Sequence, residues 1–307
     1  MTSQPTSFEN LRGHSIFIDA TDLEGALEAL QEHGSDLTVL AGGTDVMVQY
    51  LRGDVLPRGL LHIRRLPELK ERSFGRRTVI GALTTHWQLM TDHGVLVRHP
   101  ALAEAAATVG GRQTQNAGTI AGNLVNASPA ADLLPVMLVS DGVVTLTNSE
   151  GSRALPVADF VLGRRSTARK PDELVTTISF EPLAEAAGES YLKIGRRHAM
   201  EVAIVGLAAR LAFDVDGKVT DARFAIASVA PKAFRAHLAE QRLVGTKLDD
   251  ESMREAAEQL RKAAQPIDDS RATADYRRRL LPALLRDAVT ICRQRAFNKG
   301  EAAEHAT

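Results

Sequence analysis

The sequence predicts an α+β protein of about two domains, and three observations carry that expectation. Its 307 residues suffice for two units at the usual ~150 residues each. The N-terminal part mixes short strand and helix patterns around glycine-rich turns, whereas beyond Pro182 two strand-like runs precede two helices. Strands first and helices afterwards is the order of a self-contained α+β domain. A composition of 44% hydrophobic and 24% charged residues is that of an ordinary folded globule and argues against disorder.

In chain order, the first clear element is a helix over 22–33, with Thr21 and Glu24 as a capping box. Leu23, Ala26, Leu27 and Leu30 form its apolar face and Gly34 ends it. A short strand, 37–40, runs into Ala41-Gly42-Gly43-Thr44-Asp45, and a short helix over 46–51 follows. A strand at 78–82 and a helix over 85–92 come next, then an Ala-rich helix opening at Pro100, where proline suits the first helical position. Residues 110–126 are poor in large apolar side chains and rich in Gly, Asn, Gln and Thr, which predicts a long loop. Ser128-Pro129 opens a short helix; 142–147 and 172–180 read as strands, and 182–189 as a linker. The runs 205–215 and 218–229 flank Asp216-Gly217, a hairpin signal, and helices are predicted over 250–264 and 273–296.

Several function classes are excluded early. Lys and Arg (37) nearly balance Asp and Glu (38), for a net charge of -1, so there is no global electrostatic reason to seek nucleic acid or an anionic membrane. The only cysteine, Cys292, rules out an internal disulfide framework, a Cys-rich zinc site and an iron–sulfur cluster held by this chain alone. No apolar run approaches the ~20 residues of a membrane span, and residues 1–10 lack the pattern of a signal peptide. The expectation is a cytoplasmic protein without bound metal. The nine histidines form no H-E-x-x-H or His–Cys pairing. His86 and Trp87 are candidates to approach a ligand because they follow Thr85.

The candidate chemistry lies in two glycine-rich loops. In the first, the consecutive Gly42 and Gly43 allow positive φ and turn successive N–H groups into one concavity, and Thr44 adds a hydroxyl. The second is Gly118-Thr119-Ile120-Ala121-Gly122-Asn123, flanked by Asn116 and Asn126. Two such loops suit a diphosphate gripped from two sides. Neither holds Lys or Arg, so backbone N–H groups would balance the charge. The Gly-Lys-Ser/Thr ending of a P-loop and the Rossmann G-x-G-x-x-G are both missing.

With these loops in view, the sequence resembles the FAD-binding (medium) subunits of the molybdenum hydroxylases, the family of carbon monoxide, xanthine, and nicotine or quinoline dehydrogenases. The matching residues are Ala41 to Asp45, Ile80-Gly81-Ala82 with Thr85, Gly118 to Asn123, and Ser128-Pro129-Ala130-Ala131-Asp132. Later matches are Lys193 with Arg196-Arg197, and Asp268 to Tyr276 with Arg277. The resemblance covers nearly the whole chain in the family's order. It implies a two-subdomain FAD-binding domain of the vanillyl-alcohol-oxidase (PCMH) type, over 1–60 and 61–182, a C-terminal α+β domain over 187–297, and a flexible tail over 298–307. The FAD contacts it implies are Ala41, Gly42, Gly43, Thr44, Asp45, Val46, Thr85, Gly118, Thr119, Gly122 and Asn123, with Asp132 near the ribose or ribityl hydroxyls. Leu162 and Lys193 match further flavin-contact positions, and Tyr191 is the aromatic expected near the isoalloxazine. Two departures stand out: Ala121 replaces a usual Gly and is expected at negative φ, and Gln115 stands where an Arg is common.

The resemblance further implies a chain that takes electrons from the two [2Fe–2S] clusters of a small partner subunit and passes them through FAD to an external acceptor. A large partner subunit holds the molybdenum cofactor and oxidises the substrate. The assembly is a heterotrimer, or a dimer of heterotrimers. FAD suits the position because it joins one-electron donors to two-electron acceptors, and the loops hold no His or Cys for covalent attachment. Two alternatives are a stand-alone flavin oxidase or dehydrogenase of the same fold and a cofactor-less interaction subunit. The absence of an acid–base pair beside the flavin motifs speaks against the first, and the intact glycines against the second.

Overall fold

The computed structural model describes residues 16–55, 57–197 and 200–298, so of the expected tail only Asn298 is described. Strand β1 (Ile16–Asp19), helix α1 (Leu23–His33), β2 (Leu37–Leu40), α2 (Val46–Leu51) and β3 (Gly59–His62) come first. Their strands form a parallel sheet in the order β1-β3-β2, with Ile16 and Leu37 both opposite Gly59. A Cβ at Gly59 would meet Leu37 Cδ2 at 2.7 Å and Ile16 Cβ at 3.0 Å, so glycine there lets side chains of both flanking strands close over the central one. Helix α1 is capped by Asp22, whose Oδ1 accepts from the Gly25 N–H at 2.8 Å, while Thr21 donates to Asp22. The predicted Thr21–Glu24 capping box is not formed: the N-cap falls one residue later, at Asp22, and Gly25 at the N3 position has no side chain to return the bond.

The next stretch holds β4 (Arg72–Phe74), β5 (Thr78–Gly81), α3 (His86–Thr91), α4 (His93–Arg98), α5 (Pro100–Ala107), α6 (Arg112–Ala117), α7 (Ile120–Val125) and α8 (Leu133–Val139). It continues with β6 (Val143–Asn148), β7 (Gly151–Pro156), α9 (Val157–Phe160), β8 (Val161–Gly163), β9 (Ser166–Thr167) and β10 (Leu174–Phe180). Five strands make an antiparallel sheet, β4-β5-β10-β6-β7, and β8 and β9 pair as a separate hairpin. The predicted long loop over 110–126 is instead two short helices, α6 and α7. Helix α7 forms because the Thr119 hydroxyl caps the Gly122 N–H and Ile120 and Leu124 are buried one turn apart. The helix expected to open at Ser128-Pro129 begins only at Leu133, after a turn in which Ala127 has φ +44°.

The remaining elements are β11 (Ala187–Ile194), β12 (Val205–Phe213), β13 (Val219–Ala227), β14 (Phe234–Arg235), α10 (His237–Leu243), α11 (Asp250–Ala263) and α12 (Ala274–Phe297). The strands form an antiparallel sheet in sequence order. The predicted hairpin is there, with Gly217 at φ +75° and the Asp214 carboxylate accepting from the Asp216 and Lys218 amides. One face of this sheet, with Leu207, Leu211, Phe224 and Ile226, packs under α10 to α12. The other, with Tyr191, Ala208, Ala225 and Ala227, joins the core of the preceding part; its alanines let α5 and α8 approach closely. The expected linker over 182–189 runs into β11, whose polar Glu189 and Ser190 are fully buried. A Cβ at Gly188 would meet the Cys292 carbonyl oxygen at 1.9 Å, which seats α12 on that strand.

Candidate functional site

A cavity of about 750 Å³ opens between the parallel sheet and the helices that follow β5, a volume in the range of cofactor pockets. The first glycine loop leaves β2 along its wall. Gly43 has φ +71°, and a Cβ at Gly42 would fall 1.8 Å from the Ala117 oxygen and 3.0 Å from the Gly118 nitrogen. The two glycine loops therefore touch backbone to backbone, and only glycine fits at position 42. Among the described residues the N–H groups from Gly42 to Val46 donate to no backbone carbonyl, and all five residues line the cavity. A row of free amides on a concave wall is an anion cradle.

The second loop is held from below. Ile120 and Ala121 donate their amides to the Thr84 and Ala82 carbonyls, His86 donates its own to the Gly118 carbonyl, and Thr85 bridges to Thr119. Thr85 does not line the cavity: its hydroxyl caps α3 by accepting from the Gln88 amide. Gly118, Thr119, Gly122 and Asn123 do line it, and the Asn123 Oδ1 is sealed without a partner. The Gln49 side-chain amide donates to Asn126 Oδ1 at 3.2 Å, tying α2 to the end of α7.

Asp132 lies deeper in the cavity lining and is 7% exposed. The Tyr191 hydroxyl donates to its Oδ1 at 2.7 Å; Lys193 Nζ donates to its Oδ2 and to the Thr108 carbonyl, each at 2.9 Å. Burial pushes the Asp132 carboxyl above the usual range, against the opposing pull of Lys193 and Tyr191. Burial, then the Asp132 carboxylate, raise the Tyr191 phenol well above its ordinary value, so it stays a donor.

The family described as the FAD-binding domain in molybdopterin dehydrogenase matches residues 8–182, and the CO dehydrogenase flavoprotein C-terminal domain matches 190–291. The chain belongs to this FAD-binding family. It is 28% identical over 98% of its length to the whole of the 6-hydroxypseudooxynicotine dehydrogenase complex subunit alpha of Paenarthrobacter nicotinovorans. It is 31% identical to the carbon monoxide dehydrogenase medium chain of Hydrogenophaga pseudoflava, over 82% of this chain and 88% of that one. Among solved structures, reconstituted CO dehydrogenase from Oligotropha carboxidovorans superposes with a TM-score of 0.88 at 28% identity, covering 92% of this chain and 99% of that one. The chain is an oxidoreductase flavoprotein subunit.

The cavity's own chemistry fits FAD. The cradle leaves no room for a Cβ at Gly42, the amides of the first loop are free, and polar atoms of Asn123 and His86 are sealed without partners. Of the residues singled out in the sequence, Ala41, Gly42, Gly43, Thr44, Asp45, Val46, Gly118, Thr119, Gly122, Asn123 and Asp132 line one cavity. Tyr191 and Lys193 stand behind Asp132, committed to its carboxylate, and Leu162 is exposed on β8 outside the lining. Ala121 avoids positive φ, as expected, and the buried Gln115 turns inward to donate to the Ala107 carbonyl at 3.0 Å. Missed by sequence reasoning are Met200, Glu201 and Val202, which bring the β11–β12 connection to the cavity. Arg196 and Arg197 hold Glu201 there, at 3.3 and 3.5 Å; the double arginine was its only signal.

Proposed function

We propose that this chain is the FAD-binding subunit of a heteromeric, cytoplasmic molybdenum hydroxylase. On this reading it works with an iron–sulfur subunit and a molybdenum-binding subunit, and it hands electrons to an external acceptor. FAD, held non-covalently, supplies the conversion between one-electron and two-electron transfer. The carrying observation is the pair of glycine loops locked backbone to backbone on one cavity, with five free amides on its wall.

The chain's residues divide the work. Amides 42–46 would take the negatively charged diphosphate, their free N–H donors replacing the missing Lys and Arg. The amides of 120–123 are already bonded within the fold, so the second loop would shape the cradle and offer it the Asn123 side chain. Asp132, oriented by Tyr191 and Lys193, accepts hydrogen bonds from cofactor hydroxyls. Met200, Glu201 and Val202, between β11 and β12, add a further stretch of lining to the same cavity. A cluster needs several thiolates, whereas the one cysteine is a buried residue of α12 facing β12, so electrons must come from a docked partner. The test is co-expression with the neighbouring reading frames, purification, and acid release of cofactor with metal analysis of the complex. FAD freed by acid, together with molybdenum and iron on co-purifying chains, is the expected result. A purified complex without flavin, or an isolated chain that oxidises substrate unaided, overturns the reading.

A further inference from the structure

His86 sits where the two glycine loops meet, and nothing in the glycine motifs accounts for it. It is the first residue of α3, only 3% exposed, and it lines the cavity. Its backbone amide is committed to the Gly118 carbonyl. Its ring lies against Gly118, so that a Cβ there would meet Cδ2 at 3.0 Å and Nε2 at 3.1 Å. No side chain or carbonyl among the described residues bonds to either ring nitrogen; Nδ1 is sealed from solvent, whereas Nε2 is not among the sealed atoms.

This asymmetry selects the tautomer. A proton on Nδ1 would leave a buried N–H with no acceptor, the rarer and costlier kind of orphan. A proton on Nε2 leaves Nδ1 as a bare acceptor and places the donor on the edge of the ring that meets the cavity. Burial keeps the imidazole neutral, with its pKa lowered to about 4.

We propose that His86 is a binding residue for the dinucleotide, donating a hydrogen bond from Nε2–H to an acceptor oxygen of the FAD held by the two glycine loops. This rests on the FAD reading above and adds a ring N–H donor to a cradle built from backbone amides and the Thr44 hydroxyl. It also explains a polar ring at a position where an apolar side chain would pack as well.

The test uses the chain in its purified complex, stripped of flavin and titrated with FAD. His86→Leu keeps the volume and removes the donor; His86→Gln restores an N–H donor of similar reach. The expected result is at least a tenfold weaker Kd for His86→Leu, recovery to within about threefold for His86→Gln, and a shift in the visible absorption bands of the bound flavin for His86→Leu alone. Thermal melts of the flavin-free proteins separate this from a packing role. A His86→Leu Kd within twofold of the unaltered protein, or equal weakening in both variants, overturns the assignment of His86. Failure of the unaltered complex to take up FAD would instead overturn the cofactor reading itself.

Discussion

Replacing Gly42 with alanine is the sharpest test of the two-loop cradle. The added methyl would lie 1.8 Å from the Ala117 oxygen and 2.4 Å from its carbonyl carbon. To restore an ordinary contact of 3.4 Å the two loops must part by about 1.6 Å. Overpacking into a site that can yield costs about 1–3 kcal/mol; here both sides are backbone, so the upper end applies. About 3 kcal/mol corresponds to roughly a hundredfold in an equilibrium constant, shared between folding and the geometry of the free amides. We expect Gly42→Ala to weaken FAD binding at least tenfold in a fluorescence titration and to lower Tm by about 5 °C. Gly53→Ala is the control: Gly53 has φ +75° but nothing within 4 Å of the added Cβ, so it should lose about 1 kcal/mol of stability and no FAD affinity. A Gly42→Ala protein that binds FAD within twofold and melts unchanged would refute the backbone-to-backbone contact.

Three further outcomes follow from buried groups. Lys193→Met strips a buried carboxylate of its cation and should cost about 3–5 kcal/mol, more than the 1.5–3 kcal/mol or so expected for Tyr191→Phe; urea melts that reverse this order would count against the Asp132 network. His86 and His99 are held neutral by burial, with pKa values lowered to about 4 and about 3. The unfolded chain takes up those protons near pH 6.5, so their stabilisation is present above pH 6.5 and is lost as pH falls through about 4 and then 3. His99→Gln, which leaves Thr78 a partner, should flatten the acid limb of a Tm-against-pH curve, and an unchanged slope would contradict this. Burial pushes the Cys292 thiol up to about 12, so iodoacetamide at pH 8 should label it only after denaturation; rapid labelling of the folded protein would mean that α12 lifts off β11.

Much of the fold was legible because its signals are local. Helix α2 and strand β2 fall where the sequence puts them, and the ends of α12 agree to within one residue, since Thr273 caps that helix through its own hydroxyl. Misreadings arose where tertiary contacts replace local ones. Residues 110–126 look like loop because their short helices bury only a few side chains each, while Thr114, Thr119, Asn123 and Asn126 line the cavity and Arg112, Gln113 and Asn116 are exposed. Residues 187–189 look like linker because Gly188 and Glu189 are unlike strand residues, yet each meets a specific neighbour, the Cys292 carbonyl and the Ala101 amide, and the adjoining Ser190 bonds the Ala288 carbonyl.

By itself the sequence determined the α+β class, the two glycine loops and the FAD-binding family, because spacing, turn chemistry and motif order all lie along the chain. Only the tertiary structure decided that Gly42 must lack a side chain against Ala117, that Tyr191 and Lys193 serve Asp132 rather than line the cavity, and that His86 presents an unpartnered ring there. The physical reason is common to all three. A hydrogen bond or a van der Waals limit acts over about 3 Å, and the partners that meet within that range are separated along the chain by as many as 75 residues for Gly42 and Ala117, and by 59 for Tyr191 and Asp132.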